Sequence, residues 1–467
     1  MTEFADAIRA GLARGWKVHG GPHAAAPATL SCDVAIIGSG AGITAELLTS
    51  AGLSVVLIEE GPLRSSSDFR QIEAEAYTTL YQDSASRQTA DKAINILQGR
   101  CVGGSTTVNW TRSFRTPAST LQYWREHFAL PELTDSAMSP WFPQAEQRLN
   151  IGTWLVPPNV NNELLKTGAA RLGIPAAAIQ RNVKGCWNLG SCGMGCPTNA
   201  KQSMPVTTLP TALDRGATLL VQMRAHKLAL AHGKVQAVQC IPIAVNGAVL
   251  PGADSEETPQ SMVTDHFLEV NPVDGPIGYK LEAPPLHPVL ASTTLPGFGV
   301  QQAQAMKDFP NTHALLALLR DGFHEQASGG KVKLRRDGTP VLDYSLTPCI
   351  VDGARRVTPG HEAAMPYTKW AQARSAIAGL QVVPYPTRVV SAHVMGGCGM
   401  AGKAEPGVVQ PDGRHWQVEN LSVHDGSLFS TRIGANPQLW VYGLVNKLAT
   451  GLARALSGRD VRLALRN

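Results

Sequence analysis

The stretch Val34 to Gly61, VAIIGSGAGITAELLTSAGLSVVLIEEG, limits the fold more than any other part of the chain. An apolar run, Val34-Ala35-Ile36-Ile37, meets Gly38, Gly40 and Gly42. A helical pattern follows over about 44–51, and a second apolar run, Val55-Val56-Leu57-Ile58, ends in Glu59-Glu60. Strand, glycine turn, helix, strand is the βαβ unit of a doubly wound parallel sheet. The glycines let backbone approach a pyrophosphate at the helix N-terminus. Glu59, 21 positions after Gly38, stands where a carboxylate takes ribose hydroxyls. One position departs from the pattern. A dinucleotide fingerprint wants a third small residue for close helix–strand packing, and this chain has Ile43.

The 467 residues suffice for two or three domains. Charged residues make up 16%, against a usual share of about 25%, which suits a compact protein rather than one with long disordered tails. The net charge of +5 comes with no arginine-rich stripe or basic repeat, so nucleic acid is excluded as a partner. No stretch approaches the ~20 apolar residues of a membrane-spanning helix. Met1 to Trp16 has helical spacing without the apolar core of a signal peptide. The expectation is a cytoplasmic protein, with peripheral attachment at the inner membrane left open. Eight cysteines in a chain this long do not by themselves indicate an oxidising compartment.

Further along, residues 21–31 read as a Gly/Pro/Ala-rich linker. Residues 63–96 read as mostly helical and polar, and 115–180 as helices with Pro-rich joints. Residues 250–295, with alternating runs such as Tyr279-Lys280-Leu281-Glu282, suggest a separate sheet-bearing domain. Lys331 to Leu342 reads as a hairpin around Asp337-Gly338.

Four further motifs stand in order: GRCVGGSTTVN at 99–109, CPTNAKQSMPVTTLPTAL at 196–213, SAHVMGGCGM at 391–400, and VENLSVHDGSLFSTRIGANPQLWVYGLVNKLATGLARAL at 418–456. With the glycine fingerprint, this series resembles the glucose–methanol–choline (GMC) family of FAD-dependent oxidoreductases, in a bacterial alcohol dehydrogenase-like branch. The resemblance implies an α/β fold, with a doubly wound, Rossmann-like FAD-binding domain and an inserted α+β substrate-binding domain. The FAD-binding domain is expected over 1–125, 197–250 and 390–467. Residues 126–196 and 251–389 form the substrate-binding domain and its connections. The resemblance also implies that Gly38, Gly40, Gly42 and Glu59 hold the ADP end of FAD. Gly103, Gly104, Ser105 and Asn109 border the flavin and pyrophosphate. Asp425 and Gly426 lie by the second phosphate and ribityl chain, with Pro437 also at the cofactor. The implied catalytic pair is His393 and Asn436.

Asn436-Pro437 also precedes a helical pattern, with Leu444, Leu448, Leu452 and Leu456 four apart and Gly458 as a stop. Asn at the N-cap and Pro at the first helical position start a helix well. The positive end of that helix suits the negative pyrimidine side of a reduced flavin.

The resemblance implies oxidation of an alcohol to an aldehyde or ketone, by hydride transfer to flavin with a His base. The partners are then a small-molecule alcohol and an electron acceptor: dioxygen, a quinone or a cytochrome. A flavin-free binding or remnant protein with a decayed cradle is the alternative. An NAD-using Rossmann enzyme is disfavoured by the C-terminal motifs. Against the family pattern the chain is short at three places: between Gly42 and Ile43, after Asn246-Gly247, and after Arg356. These shortfalls predict interruptions at 42/43, near 247–252 and near 356/357, with a loosely held flavin. Cys186, Cys192 and Cys196 are spaced C-x5-C-x3-C before Pro197, which reads as a metal or redox site and raises an iron–sulfur cluster. Structural thiols, or one disulfide with one free thiol, remain open at the same positions.

Overall fold

The computed structural model describes residues 5–153, 156–157, 160–171, 177–250, 276–282, 287–295, 297–311, 316–324, 329–334, 340–357 and 389–464. Its centre is a four-stranded sheet in the order Lys17–His19, Thr218–Leu220, Val55–Ile58, Val34–Ile37. Every pairing in it is parallel, with Val34 opposite Val55 and Ile37 opposite Ile58. All four residues of Val55–Ile58 are buried, as a continuous apolar run in a covered parallel strand requires. The βαβ reading holds. The two strands added to this unit, the inner Thr218–Leu220 and the edge Lys17–His19, are three residues each and carry no periodicity long enough to read.

The fingerprint helix Gly42–Ser50 leaves the tip of Val34–Ile37 through one 3₁₀ turn, Ser39–Ala41. It runs unbroken across Gly42 and Ile43, so the interruption expected there is absent. Its packing also answers the missing third glycine. A Cβ on Gly42 would lie 2.3 Å from Thr208 Oγ1 and 3.0 Å from Met204 Cβ. Gly42 itself therefore provides the close approach, against the helix Thr208–Asp214 rather than the strand. Ile43 is core, 2% exposed.

The chain returns to this core at its far end. The helix Gln438–Ser457 buries Tyr442, Val445, Ala449 and Ala453 in one cluster with Ile43, Leu47, Leu48 and Leu57. The C-terminal helix thus packs on the fingerprint helix. Ala145 and Leu149 share that cluster. Phe142, Trp124, Phe429 and Trp440 build a second cluster along the same helix. The segment 118–149 thus packs on the nucleotide side of the molecule.

The remaining sheets are small. Met223–Ala231 and Lys234–Pro242 form an antiparallel ribbon. Its turn residues, His232 at φ +50° and Gly233 at φ +74°, have the positive angles of a two-residue hairpin loop. Tyr279–Glu282 pairs with Leu316–Leu319, bearing out a strand there. Lys331–Leu334 pairs with Pro340–Asp343 as the expected hairpin, whose Asp337-Gly338 lies outside the described residues. The region 63–96 is less helical than its polarity suggests. After the helix Glu73–Leu80, Ile94–Ile96 pairs with Val389–Ser391 and Arg87–Gln88, because Ile94 and Ile96 find a buried face. Residues 247–250 continue from the ribbon, with Val249 bridged to Ile243, while 251–275 lie outside the described residues. The helix Pro348–Val357 passes through 356/357 without interruption, and 358–388 lie outside.

Candidate active site

Two glycine motifs meet at the end of the parallel sheet. Gly103 N–H donates to Ser39 Oγ at 2.8 Å, and the Ser39 hydroxyl donates to Glu59 Oε2 at 2.5 Å. Ser39 N–H also donates to Glu59 Oε2, at 3.0 Å, and Gly61 N–H donates to Oε1 at 2.8 Å. Glu59 thus stands at the strand tip where the fingerprint wants it, but its carboxylate is turned onto the loop itself. Burial pushes its pKa up, and the three donors from Ser39 and Gly61 oppose that shift. Gly40 and Gly104 come closest: a Cβ on Gly104 would lie 3.4 Å from Gly40 Cα. Gly38, at φ +89°, and Gly104, at φ +53°, hold backbone angles that favour glycine. Ser105 Oγ accepts from Gly99 N–H at 3.1 Å and closes the 99–109 loop on itself.

From Asn109 the network crosses to the C-terminal helix. Asn109 Nδ2 donates to Gln438 Oε1 at 2.6 Å, and Gln438 Nε2 donates to Asn182 Oδ1 at 2.8 Å. Asn109 Oδ1 accepts from Thr111 N–H. Residues 99–109 and 436–438 are therefore one structural unit, although 329 positions separate Asn109 from Gln438. The helix itself begins at Gln438, not Pro437. Pro437, at φ −78°, is its cap, and Asn436 lies one position outside as a 1% exposed side chain. The expected capping role thus moves from Asn436 to Pro437, whose carbonyl accepts from Val441 N–H.

The loop 391–400 runs beside 426–430. Gly396, Cys398 and Met400 N–H groups donate to the carbonyls of Gly426, Ser427 and Leu428. Asp425 accepts from Ser427 N–H at 2.8 Å and from its hydroxyl at 2.6 Å, capping the turn Gly426–Leu428. His393 is 6% exposed, and its Nδ1 lies 3.3 Å from Arg432 Nη2. A guanidinium only donates, so Nδ1 accepts and the neutral ring carries its proton on Nε2. Arg432 is four residues before Asn436, so one segment reaches both members of the expected pair. Arg432 and Arg320 line a small cavity with Tyr279, Leu318, Gly434 and Ala435, next to Asn436 in the chain. Burial lowers the Arg432 pKa, while Asp321 and Glu282 favour its charge.

Residues that the sequence did not single out matter here. Arg432, Lys201, Ser39 and His424 all lie within or beside the motifs. His424 directly precedes Asp425-Gly426, and that adjacency was the available signal. Its Nδ1 is 3.0 Å from Thr44 Oγ1 on the fingerprint helix, and its Nε2 is buried with no partner among the described residues. An orphaned imidazole nitrogen beside a glycine cradle fits a site built for a polar cofactor.

The cysteine loop is a different matter. None of the eight cysteines is in a disulfide. Among the described residues no three His, Cys, Asp or Glu side chains converge as metal ligands. Cys186 Sγ accepts from Asn188 N–H, Cys192 Sγ from Arg181 Nη2, and Cys196 Sγ from Lys201 N–H. The C-x5-C-x3-C spacing therefore does not assemble a ligand set, because each sulfur is engaged separately beside a cationic side chain or a backbone amide.

Two models of the GMC oxidoreductase family match residues 77–249 and 306–444, together more than half of the chain. The chain belongs to the GMC oxidoreductase family. Within that family it is 27% identical to an uncharacterised GMC-type oxidoreductase, y4nJ, of Sinorhizobium fredii, covering 90% of this chain and 94% of that one. It is 24% identical to the long-chain-alcohol oxidase FAO1 of Arabidopsis thaliana, over 92% of this chain and 68% of that one. Its fold is similar to pyridoxine 4-oxidase from Mesorbium loti, with a TM-score of 0.61 at 16% identity, covering 90% of this chain and 98% of that one. It is also similar to a fungal aryl-alcohol oxidase, with a TM-score of 0.55 at 14% identity, covering 91% and 99%. GMC membership makes the protein an enzyme, with a Rossmann-like cofactor domain and a substrate-binding domain. Among the described residues no helix is long and apolar enough to cross a membrane.

Proposed function

We propose that the protein oxidises an alcohol to an aldehyde or ketone, with FAD as the bound cofactor and His393 and Asn436 at the reacting hydroxyl. The observation that carries this is the convergence at the start of the C-terminal helix. Arg432 ties His393 to the segment leading into Asn436, and Gln438 ties Asn109 to the same helix end. Gly38, Gly40, Gly42, Glu59, Gly103, Gly104 and Ser105 would hold the dinucleotide part. Asn109, Asp425, Gly426 and Pro437 would border the phosphates and flavin. FAD, when bound, supplies the hydride acceptor. The alcohol relatives support the substrate class, and the acceptor is dioxygen, a quinone or a cytochrome.

The protein's share is the proton and the geometry. With Arg432 donating to Nδ1, Nε2–H of His393 would donate to the substrate oxygen. To take the hydroxyl proton at Nε2, the ring must first carry its own proton on Nδ1, which requires Arg432 to turn away. Asn436 donates to the oxygen as it gains negative charge, a fixed dipole in a dry site. Anaerobic mixing of FAD-loaded protein with a panel of primary alcohols tests the reading. Bleaching of the flavin absorption by at least one alcohol is expected. Failure to take up FAD would return the flavin-free binding protein as the better description.

A further inference from the structure

Lys201 is enclosed, 2% exposed, in the loop that follows Cys196. Its ammonium donates to three carbonyls: Thr107 O at 2.7 Å, Asn109 O at 2.5 Å and Cys192 O at 3.1 Å. The first two belong to the end of the one-turn helix Ser105–Val108 and its cap, Asn109. A helix that short has no later N–H groups to satisfy its final carbonyls. A cation placed there satisfies them and complements the negative helix end. Asn109 is fixed on both sides as a result, through its carbonyl to Lys201 and through its amide to Gln438. Burial pushes the Lys201 pKa down to about 8; the thiols of Cys192, Cys196 and Cys101 oppose that shift, and the guanidinium of Arg181 adds to it. A buried cation is costly unless its hydrogen bonds are complete. Three carbonyls complete them, and the positive charge is left on the segment that borders the proposed flavin.

We propose that Lys201 is a positioning residue for the cofactor site: its ammonium caps the 105–109 turn, sets Asn109, and adds positive charge beside the flavin. The inference rests on the FAD reading above. Its test uses Lys201→Met, which removes donors and charge, and Lys201→Gln, which keeps two donors but no charge. Amide hydrogen exchange on the cofactor-free protein comes first. Lys201→Met is expected to lose protection at residues 105–111 ~10-fold or more, the scale of leaving buried carbonyls unpaired. FAD affinity, read by flavin fluorescence quenching, is expected to weaken ~10-fold in Lys201→Met and less in Lys201→Gln. The reduction potential of bound flavin is expected to move negative in Lys201→Gln, a shift that a purely structural role would not give. If Lys201→Met does not fold, Lys201→Gln decides. Wild-type affinity and potential in Lys201→Gln would overturn the proposal, as would unchanged exchange at 105–111 in a folded Lys201→Met. Wild-type protein that takes up no FAD would instead overturn the cofactor reading, while the exchange result still decides the capping role of Lys201.

Discussion

Two buried ion pairs divide the molecule. On the nucleotide side, Arg148 Nε and Nη2 bind Glu46 at 2.9 and 2.7 Å. Arg148 Nη2 also donates to Thr207 O and Thr211 Oγ1, and Ala464 N–H donates to Glu46 Oε1. One contact set thus joins the fingerprint helix, Phe142–Arg148, Thr208–Asp214 and the C-terminal tail. Towards the small sheets, Arg112 Nη1 and Glu282 Oε2 are 3.7 Å apart, beyond a hydrogen bond. Both are buried, and burial pushes the Arg112 pKa down to about 9 against the pull of Glu282. The first pair is built to be permanent. Glu282 also favours the charge of Arg432, which lines the cavity next to Asn436 in the chain. Buried groups whose pKa values are shifted suit a site, whereas a tightly bonded network suits a scaffold.

The strands repeat the contrast. Val55–Ile58 is buried at all four positions, while Lys331–Leu334 is exposed at all four, with Val332 at 59% and Leu334 at 61%. The parallel sheet has a core of its own. The two-stranded ribbons depend on what they pack against, because an isolated hairpin is marginal in water.

The largest expected effect breaks the first pair. Arg148→Met leaves Glu46, 0% exposed, as a buried charge without its partner. The unfolding free energy should fall by ~3–5 kcal/mol, as for other buried pairs cut on one side. Chemical denaturation measures it. Arg112→Met should cost less, since the 3.7 Å pair has less to lose. Equal losses would remove the distinction between scaffold and site.

At the other pole, His393→Ala should slow flavin reduction by ~10²-fold with FAD affinity retained, the usual share of a general base or acid. Asn436→Ala should slow it less, because it removes one neutral donor. Rapid anaerobic mixing reads both rates. An unchanged rate in His393→Ala would take that residue out of the mechanism and leave the cavity side without its reacting group.

A smaller effect sharpens the scaffold side. Gly42→Ala forces a Cβ to within 2.3 Å of Thr208 Oγ1. The cost should be ~1–3 kcal/mol, the range for overpacking a closed contact. Thr208→Ala in the same chain should recover part of it, since Met204 still limits the space. No recovery would mean that the loss arises elsewhere, for instance in the fingerprint loop.

What the sequence disclosed follows from the same division. The βαβ unit and the hairpin at 331–342 rest on local patterns, and periodicity shows them, whereas the return of 418–456 follows from the family resemblance. The motifs named Gly40, Gly103, Asn109, His393 and Asn436 because their order along the chain is itself a pattern. Glu46, Arg148, Lys201 and Arg432 have no such local signature. An arginine or lysine reads as surface until its partners are known, and those partners lie far along the chain: Glu46 is 102 positions from Arg148, and Thr107 is 94 from Lys201. The start of the last helix was displaced by one residue for a related reason. Pro437 already has a helical φ, so the proline takes the cap and frees Asn436 to turn inward. The three cysteines show the opposite case: close spacing along the chain does not bring three ligand side chains together among the described residues.

The smallest expected effect lies at His424, on the boundary between the two regions. Its imidazole meets Thr44 Oγ1, and burial pushes its pKa down to about 4 against a weaker opposing pull from Asp412. An unfolded imidazole titrates near 6.5. Between about 4 and 6.5 the unfolded chain therefore binds a proton that the folded chain refuses. The stability tied to neutral His424 is complete above pH 6.5 and is lost as pH falls towards 4. His23 and His287 are also lowered by burial, so acidification should destabilise the wild type through several groups. The contribution of His424 is the difference between wild type and His424→Phe. Thermal unfolding midpoints taken from pH 7 to pH 4.5 should converge as pH falls, the variant losing less. Parallel curves would mean that the imidazole admits a proton in the folded state, and that the contact with Thr44 is open to solvent on the cradle side.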